Sequence, residues 1–519
     1  MKFRLTILKD TSIICYKSYF MVLLNNYKKS KMLKISSGII LVLLSLNLLA
    51  QNKLTLNECR QMALETNKKI LMAEEHKLAA TSVKKFTRTQ YLPNFAANGG
   101  YMRTNKEFNL LSENIFLPVI PSEAIKNGKL NELAFLNNPS LLAETFELDG
   151  SGNIMLDENG DYIFKNYSYL PADEVKFGFK NIYSANIGMI QPIFTGGKIK
   201  QLNNLADQGE DMMQAKKQIA EHEVLYETDE YYWKVISLQE KVVLTQSYKK
   251  RIEQLIDDLN NLYQEGIITN NDLLRAKVKL SEVELKMLKA SNGLQMARMA
   301  LNQVIGLPVD SVVVLSDSLE TNYQIPVDVD YTQMALSDRP EISLMNTTLE
   351  MAKSGEKLMK SRYMPNVGLT ANYMFMNPSP YNGFKEEFGA DWNIGVFVNI
   401  PLFHWGDKIH TVDAMRHERN AAELKSIETE ELITLQVKQT IYKYTESVKK
   451  VELSKTALQQ TEENLKLTRD NFDEGIVKAT DLLEAQTMWQ EAYSNLIDAK
   501  TENKLCETEL LKVTGQLNK

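Results

Sequence analysis

The chain has 519 residues, of which 44% are hydrophobic and 24% charged, as is usual for a folded protein. The formal net charge is −6, but the first 50 residues hold eight basic side chains and one acidic side chain. The rest of the chain therefore has 52 basic and 65 acidic residues, a net charge of −13. Such an acidic chain lacks the basic patch that nucleic-acid binding requires, so we expect no nucleic-acid partner.

The first 50 residues are predicted to be a leader. Met32-Leu33-Lys34 is a short basic start, residues 38–49 are an apolar run, and Ala50-Gln51 offers a small residue for cleavage. Together these features are typical of a secretory signal peptide over 32–50. Residues 1–31 either belong to the leader or precede an unused start, with Met32 as the true initiator. No Cys follows Ala50, so we expect no lipid attachment at this cleavage site.

Beyond the leader, the predicted elements follow one order twice. The first passage has a helix, a strand, a turn-rich segment, a second strand, a long helix and a return helix, at 54–89, 94–102, 103–180, 182–194, 198–263 and 270–305. A linker follows at 307–328. The second passage omits the turn-rich segment, and its helices and strands lie at 329–361, 366–376, 391–403, 408–472 and 480–514. The sequence thus predicts two structural repeats, 51–306 and 329–519.

Matching motifs carry this repeat. Residues 265–274 read Glu-Gly-Ile-Ile-Thr-Asn-Asn-Asp-Leu-Leu, and residues 474–483, 209 positions later, read Glu-Gly-Ile-Val-Lys-Ala-Thr-Asp-Leu-Leu. Upstream, Tyr91-Leu92-Pro93-Asn94 returns as Tyr363-Met364-Pro365-Asn366 at an offset of 272. The change of offset places an insertion of 63 residues in the first repeat, between 103 and 180.

The return helices carry heptads. Large residues recur every seven positions at Leu273, Leu280, Met287, Leu294 and Leu301, and again at Leu482, Trp489, Leu496, Asn503 and Leu510. A strict seven-residue repeat predicts left-handed supercoiling with a neighbouring helix. Small residues form a second column, which includes Cys506 and lets helices approach closely. We expect Cys506 to be a small buried residue; the alternative is a disulfide bond to Cys59.

The strand segments alternate with period two. Apolar residues of the second repeat occupy every other position at Tyr373, Phe375, Trp392, Ile394, Val396 and Val398, among others, and polar or small residues lie between them. Strands of outer-membrane barrels have this length and this pattern, with the apolar face toward lipid. The alternative is an ordinary two-sided sheet with one face on a core. Four strands cannot close a barrel, because single-chain bacterial barrels begin at eight strands, but three chains would supply twelve.

With these motifs in this order, the chain resembles the TolC-like outer-membrane channel proteins of tripartite efflux and type I secretion systems. The resemblance covers about residues 54–517 and rests on the duplicated order, the leader, the Tyr-x-Pro-Asn strand starts and the two Glu-Gly-Ile turns. It implies a mainly α fold with a small β part: a homotrimer whose four transmembrane strands per chain form a shared 12-stranded β-barrel, continued by a long α-helical barrel in the periplasm. It also implies that a periplasmic adaptor (membrane fusion protein), an inner-membrane pump and outer-membrane lipid are the partners.

The resemblance also assigns roles at the helix tips, 263–272 and 472–484. The turns with Gly266, Ile267, Gly475 and Ile476 are expected at the periplasmic end, where they close the channel and contact the adaptor. By position, Asp481 and Glu484 match carboxylates that form a ring at the narrowest point of the family's channel, and Asp272 matches another tip aspartate. The alternative for Asp272 and Asp481 is a capping role in the first turn of the return helix, where an anion is favoured.

This chain departs from the family at two tip positions. The tyrosine and arginine that help to lock the closed state correspond to Phe472 and Val477. The hydroxyl and the charge are both lost, so that locking scheme does not transfer to this sequence.

Two functions remain at this stage: a passive exit duct in the outer membrane, or a periplasmic coiled-coil scaffold or adaptor that never enters the membrane. The outward aromatic residues and the repeat favour the duct. No nucleotide loop, metal motif or nucleophile motif is found, so we expect no enzyme activity, no cofactor and no resident metal. The segment 103–180 is expected outside the cell, and the sequence leaves both its role and the cargo open.

Overall fold

The computed structural model describes residues 53–105, 108–177, 179–320, 329–383 and 385–518. The predicted leader, 1–50, and the end of the predicted linker, 321–328, lie outside the described residues. The described chain divides into two compact units. We call them the helical unit (53–87, 200–359 and 407–518) and the sheet unit (88–199 and 360–406).

The two repeats have matching elements. The first contains α1 (Leu56–Thr66), α2 (Lys68–Thr89), β1 (Asn94–Arg103), β2 (Phe108–Asn109), β3 (Ile115–Pro118), β4 (Ile125–Lys126), β5 (Lys129–Leu130), α3 (Glu132–Asn137), α4 (Ser140–Thr145), β6 (Tyr167–Leu170), β7 (Lys176–Phe177), β8 (Asn181–Phe194), α5 (Lys198–Gln264) and α6 (Asn270–Val304). The second contains α7 (Tyr331–Asp338), α8 (Pro340–Ser361), β9 (Asn366–Asn377), β10 (Gly389–Asn399), α9 (Asp407–Asp473) and α10 (Ala479–Val513). The long helices α5 and α9 have 67 residues each, and the return helices α6 and α10 have 35 each.

The structure differs from the sequence prediction at the short helices. The predicted single helix at 54–89 is divided at Asn67, whose backbone is extended and whose side-chain Nδ2 donates to the Val304 carbonyl at 2.9 Å. The predicted helix at 329–361 is divided at Arg339, whose backbone is also extended. Pro340 follows Arg339, and a proline disfavours the helical conformation of the residue before it. Both breaks lie at the same place in the repeat.

The ends of the return helices close each repeat on itself. Gly306 follows α6 with a φ of 77° and lies against Thr66, whose hydroxyl donates to the Ile305 carbonyl at 2.9 Å. Gly515 follows α10 with a φ of 74° and lies against the backbone of Asp338. Each return helix therefore ends against the first short helix of its own repeat.

The heptads of the return helices face the core of the helical unit. Buried side chains of these heptads include Leu273, Ala276, Val283, Leu301, Leu482, Ala485, Trp489, Leu496 and Asn503. Cys59 and Cys506 are both buried and free, so the structure does not contain the alternative disulfide. Burial raises the pKa of the Cys59 thiol to about 12.

No helix within the described ranges combines the length and the apolar character needed to cross a membrane.

The sheet unit contains one four-stranded antiparallel sheet of order β1-β8-β9-β10. Cross-strand partners include Asn98 with Asn186 and Trp392 with Tyr373. Strand β10 ends at Asn399, whereas the sequence predicts a strand that continues to residue 403. The register of a strand pair sets which side chains share a face, so these pairings assign the paired residues of β1, β8, β9 and β10 to one of two faces.

The two faces differ in chemistry. One face is apolar and aromatic, and includes Phe95, Tyr101, Ile187, Leu369, Tyr373, Phe375, Trp392, Ile394, Val396 and Val398. The other face is rich in asparagine, glycine and hydroxyl side chains, including Asn98, Ser184, Asn186, Thr370, Asn372 and Asn393. Asn372 Nδ2 donates to Asn393 Oδ1 at 3.0 Å across neighbouring strands.

The segment between β1 and β8 has a small core of its own. Ala124, Leu141 and Phe146 are buried, and the Phe146 ring lies 5.2 Å from Phe164 and 5.3 Å from Tyr162, measured between centroids. The inserted sequence is thus a folded subdomain of short strands and helices.

Candidate functional site

The turns between long and return helices have the same geometry in both repeats. In the first, the Gly266 N–H donates to the Tyr263 carbonyl at 3.0 Å and the Ile267 N–H donates to the Leu262 carbonyl at 2.9 Å. Gly266 has a φ of 78°, which glycine adopts without strain. This double hydrogen bond is the Schellman motif, which ends a helix and reverses the chain.

The second turn repeats this pattern. The Gly475 N–H donates to the Phe472 carbonyl at 3.0 Å and the Ile476 N–H to the Asn471 carbonyl at 2.8 Å, with a φ of 74° at Gly475. Ile267 and Ile476 are both largely exposed although they are apolar. The two turns therefore present an apolar side chain at equivalent points.

The predicted site carboxylates follow these turns. Asp481 is exposed, and its Oδ2 accepts from the Lys478 backbone N–H at 3.1 Å, so it caps the start of α10. Asp272 is half-buried, and its Oδ2 accepts from the Thr269 hydroxyl at 2.8 Å. Glu484 is exposed and lies three residues after Asp481, so the two carboxylates share one face of the helix.

Asp481 therefore contributes to the capping of α10, and its carboxylate remains exposed to solvent. Among the described residues no hydrogen bond or ion pair joins Asp272 to Asp481 or Glu484. The structure thus brings together two of the three predicted carboxylates on one helix face.

A different interaction is found around Phe472, one of the two tip positions where this chain departs from the family. Arg469 on α9 donates from Nη2 to Asp258 of α5 at 2.8 Å and from Nε to Asp473 at 3.1 Å. Its guanidinium also lies 5.9 Å from the centre of the half-buried Phe472 ring. Sequence reasoning missed this residue. The four-residue spacing of Arg469 and Asp473 was readable, but the contact with Asp258, 211 residues away, was not.

The residues predicted to face lipid share the apolar face of the sheet and are exposed in the single chain. They are Tyr373, Phe375, Trp392, Ile394, Val396 and Val398. Trp392 is the largest of them and is 67% exposed. Phe375 stacks on Phe388, with ring centroids 4.8 Å apart. Apart from Phe388, the described residues of the sheet unit leave these six side chains largely exposed.

Within the described ranges, no group of three or more His, Cys, Asp or Glu side chains is arranged to hold a metal ion. The buried histidine is His222 on α5. Burial lowers the pKa of its imidazole, against the smaller opposing effect of Glu341 and Glu221.

The fold consists of a duplicated coiled coil of very long helices and an amphipathic four-stranded sheet, and these two parts define the class of protein. A comparison with protein families matches the model "Outer membrane efflux protein" over residues 165–307 and 331–516. The chain belongs to this family, and the resemblance predicted from its motifs is confirmed. It is therefore an outer-membrane protein of the efflux-channel family with a long periplasmic portion.

Relatives and solved structures agree with this assignment. The outer membrane protein TolC of Escherichia coli (strain K12) is 20% identical over 371 residues, which is 69% of this chain and 73% of that protein. The alkaline protease secretion protein AprF of Pseudomonas aeruginosa is 19% identical over 54% of this chain and 58% of that protein. The crystal structure of the Campylobacter jejuni CmeC outer membrane channel shares the fold, with a TM-score of 0.66, 16% identity, and coverage of 89% of this chain and 85% of that chain.

Proposed function

We propose that the protein is the homotrimeric exit duct of a tripartite efflux pump or a type I secretion system. It conducts cargo passively from the periplasm or the pump to the exterior, it is not an enzyme, and it opens at its periplasmic helix tips when an adaptor and an inner-membrane pump engage it. The observation that carries the proposal is the four-stranded sheet with one uncovered apolar face and two unpaired edges. Such a sheet is complete only when lipid covers the face and other strands pair with the edges.

The strand directions fit closure by several copies. The order β1-β8-β9-β10 is antiparallel throughout, so β1 and β10 run in opposite directions. The β10 edge of one copy can therefore pair with the β1 edge of the next without interrupting the alternation. Three copies give the even number of strands, twelve, that bacterial barrels use, and no edge is left in lipid.

The helices carry a second sign of self-association. Exposed large apolar residues on α6 lie at Leu274, Val278, Leu285, Leu288 and Met296. On α9 five of the eight such residues lie at Leu424, Leu435, Tyr442, Leu453 and Leu467, and Ile409, Ile427 and Leu432 lie to either side of them. At about 100° per residue, each set of five falls within roughly 40° of one line along its helix. We call these sets the α6 stripe and the α9 stripe, and we propose that neighbouring copies cover them.

At the tips we propose that Asp481 and Glu484, together with Asp272, line the constriction of the closed channel. Three copies would place six carboxylates from Asp481 and Glu484 in one ring, which favours cations and invites block by polyvalent cations. The exposed Ile267 and Ile476 supply apolar contacts for the adaptor, and the apolar face of the sheet contacts outer-membrane lipid.

The function is tested by extraction. Membranes from expressing cells are washed with high salt and with carbonate, and the protein is then taken up in mild detergent for electron microscopy and native mass measurement. The duct requires resistance to both washes, a mass of three chains and a detergent belt around the strands. Release by salt as a monomer or dimer would instead favour the periplasmic scaffold.

The gate is tested by conductance. Asp481→Asn keeps an oxygen that can accept from the Lys478 N–H, so it removes the charge and retains the cap. Combined with Glu484→Gln, it is expected to raise single-channel conductance in planar bilayers and to weaken block by divalent cations. Glu423→Gln, at an exposed position far along α9, is the matched control. Unchanged conductance and block in the double variant would leave Asp481 with the capping role alone.

A further inference from the structure

The two hairpins of the sheet match residue for residue. Asn94 pairs with Ile190 in the first hairpin, and Asn366 pairs with Asn399 in the second. Adding the two repeat offsets, 272 and 209, to the first pair gives the second pair. The chain joins the hairpins by pairing β8 with β9, which leaves β1 and β10 at the edges. Because the repeats are equivalent, the β8–β9 junction is a template for a junction between β10 of one copy and β1 of the next.

The template gives this junction a register. Gln191 of β8 pairs with Leu369 of β9. The same offsets relate Gln191 to Ile400 and Leu369 to Ala97. Ile400 of one copy is therefore expected opposite Ala97 of the next copy. A shift of one residue would move every apolar side chain of the edge strand to the other face.

The end of β10 lacks the neighbour that this register would supply. Pairing of β8 with β1 stops at Ile190, and β8 continues to Phe194 along β9 alone. Pairing of β10 with β9 stops at Asn399, and there the strand ends. Residues 400–403 correspond to a stretch of β8 that is a strand because of its second neighbour. We therefore expect 400–403 to become a strand once β1 of another copy lies beside them.

Side-chain exposure agrees with a missing neighbour at this point. Phe194 pairs with Val367 and is 50% exposed, whereas its equivalent, Phe403, is 75% exposed. The equivalent of Val367 is Phe95, which is 67% exposed on the edge strand β1. In the template register Phe403 and Phe95 would lie opposite each other, and opposed aromatic side chains stabilise a strand pair.

The corner after the strand is where the two repeats differ. Gly196 follows β8 with a φ of 61°, and a Cβ there would overlap that of Met364 and lie 2.9 Å from the Ser361 carbonyl oxygen. The equivalent of Gly196 is Trp405, which has a φ of 36° and is 87% exposed. A bulky residue rarely adopts a positive φ, and such strain persists where the surrounding structure requires it.

The size of Trp405 limits how closely the next copy can approach. The equivalents of Ser361 and Met364 are Thr89 and Leu92. A strict repetition of the within-chain junction would press the Cβ of Trp405 into Leu92 of the next copy. The junction between copies is therefore expected to be wider at this corner than the junction within a chain, with the indole ring beside the extra space.

We propose that residues 400–405 are the segment by which each copy docks on the next, an inference that rests on the proposed trimer. Its first four residues extend β10 along the start of β1 of the next copy, so that Phe403 lies on Phe95. Trp405 fills the widened corner against Leu92. The joint within a chain is thus closed by a glycine, whereas the joint between copies is filled by a tryptophan. Outer-membrane lipid is the alternative cover of these apolar side chains, and cross-linking separates the two.

The register is tested with a pair of cysteines, Ile400→Cys and Ala97→Cys. Within one chain these positions lie on opposite edges of the sheet, roughly 14 Å apart at about 4.8 Å per strand. A disulfide needs Cα atoms within about 7 Å of each other, so only a link between copies can form. Oxidation of membranes is expected to join most chains of the double variant into covalent dimers and trimers on a denaturing gel, and neither single variant should show them.

The matched control for register is Ile400→Cys with Tyr101→Cys. Tyr101 shares the face of Ala97 but lies four residues further along β1, about 13 Å away, and this pair should stay monomeric. Val396→Cys with Tyr101→Cys is in the predicted register, because the equivalent residues, Ile187 and Tyr373, pair within the chain. This pair serves if the first one fails to fold, and it should form the same covalent products.

The corner is tested by photo-cross-linking. Benzoylphenylalanine in place of Trp405 is expected, on irradiation of membranes, to link copies to one another, and mass spectrometry should place the link within 89–92. The same replacement at Tyr373 is the control, because β9 lies between two strands of its own chain and its apolar face is open to lipid. It should give lipid adducts and no link between copies.

The outcomes separate this junction from the proposed function. A trimer by native mass that lacks the Ile400–Ala97 link, or that forms the out-of-register link equally well, would overturn the docking segment and leave the duct in place. Lipid adducts alone at position 405 would overturn the contact of Trp405 with the next copy. A monomer by native mass would refute the proposed trimer and the junction together.

Discussion

At the scale of single residues, a buried ion pair joins three helices of the helical unit. Asp229 on α5 is fully buried, and it accepts from Arg60 of α1 through both oxygens, at 2.7 and 2.5 Å. Thr508 of α10 donates to the same carboxylate at 2.9 Å. Removing one partner from a buried pair leaves an uncompensated charge, which costs far more than the pair contributes when intact.

Arg60→Met is therefore expected to lower the free energy of unfolding by about 3 kcal/mol, seen as a drop in melting temperature. Lys425→Met, which breaks the exposed Lys425–Glu428 pair, should cost no more than about 0.5 kcal/mol. Asp229→Asn added to Arg60→Met removes the stranded charge and keeps an acceptor for Thr508. If the double variant is no more stable than Arg60→Met, the unpaired buried charge of Asp229 is not the cause of the destabilisation.

His222 predicts how stability depends on pH. Burial lowers the pKa of its imidazole in the folded state, so the unfolded chain binds the proton more readily. Groups around it act in both directions: Glu341 and Glu221 raise the pKa, and Arg339 and Lys512 lower it. The stabilising contribution is present above the unfolded value of about 6.5 and is lost as the pH falls below it toward the folded value.

The melting temperature of the wild type is therefore expected to fall between pH 7 and 5.5, and His222→Gln should make this fall shallower. His76→Gln replaces an exposed histidine and should leave the slope unchanged. Parallel slopes for His222→Gln and wild type would contradict the role of this imidazole.

At the scale of elements, the tip turns depend on glycine for conformation and not for space. A Cβ at Gly266 or Gly475 would meet no atom within 4 Å, but both residues have positive φ. Gly475→Ala is expected to destabilise the turn by about 1 kcal/mol, and hydrogen exchange at the Ile476 amide should become faster. Gly355→Ala, inside α8 and also in open space, should instead be neutral or stabilising. An unchanged exchange rate at Ile476 would mean that the turn does not need its glycine.

The sequence predicted the elements that periodicity controls and missed those set by distant contacts. The long helices, the return helices and the amphipathic strands follow from period and length. The break at Arg339 was readable from Pro340, whereas the break at Asn67 depends on its hydrogen bond to Val304, 237 residues away. For the same reason the sequence showed the tip carboxylates but not the Arg469–Asp258 pair.

At the scale of the whole molecule, the apolar surface that the single chain leaves uncovered supports the proposed trimer. The α9 stripe lies on a helix that buries Ile433, Val437 and Val451 in the chain's own core. Large exposed apolar side chains aligned on one side of a helix favour an interface there. The same holds for the apolar face of the sheet, but lipid can cover that face, whereas water surrounds a periplasmic helix.

Tyr442→Glu combined with Leu435→Glu is therefore expected to weaken the trimer, because each copy would bury two charges per interface without partners. Native mass measured over a dilution series in detergent should show that the trimer of the double variant dissociates at a higher protein concentration than the wild-type trimer does. Gln459→Glu adds the same charge to an exposed position of α9, about 100° around the helix from the stripe, and should leave the trimer intact. A stable trimer in the double variant would place the subunit interface elsewhere on the helices while leaving pairing of the strand edges in place.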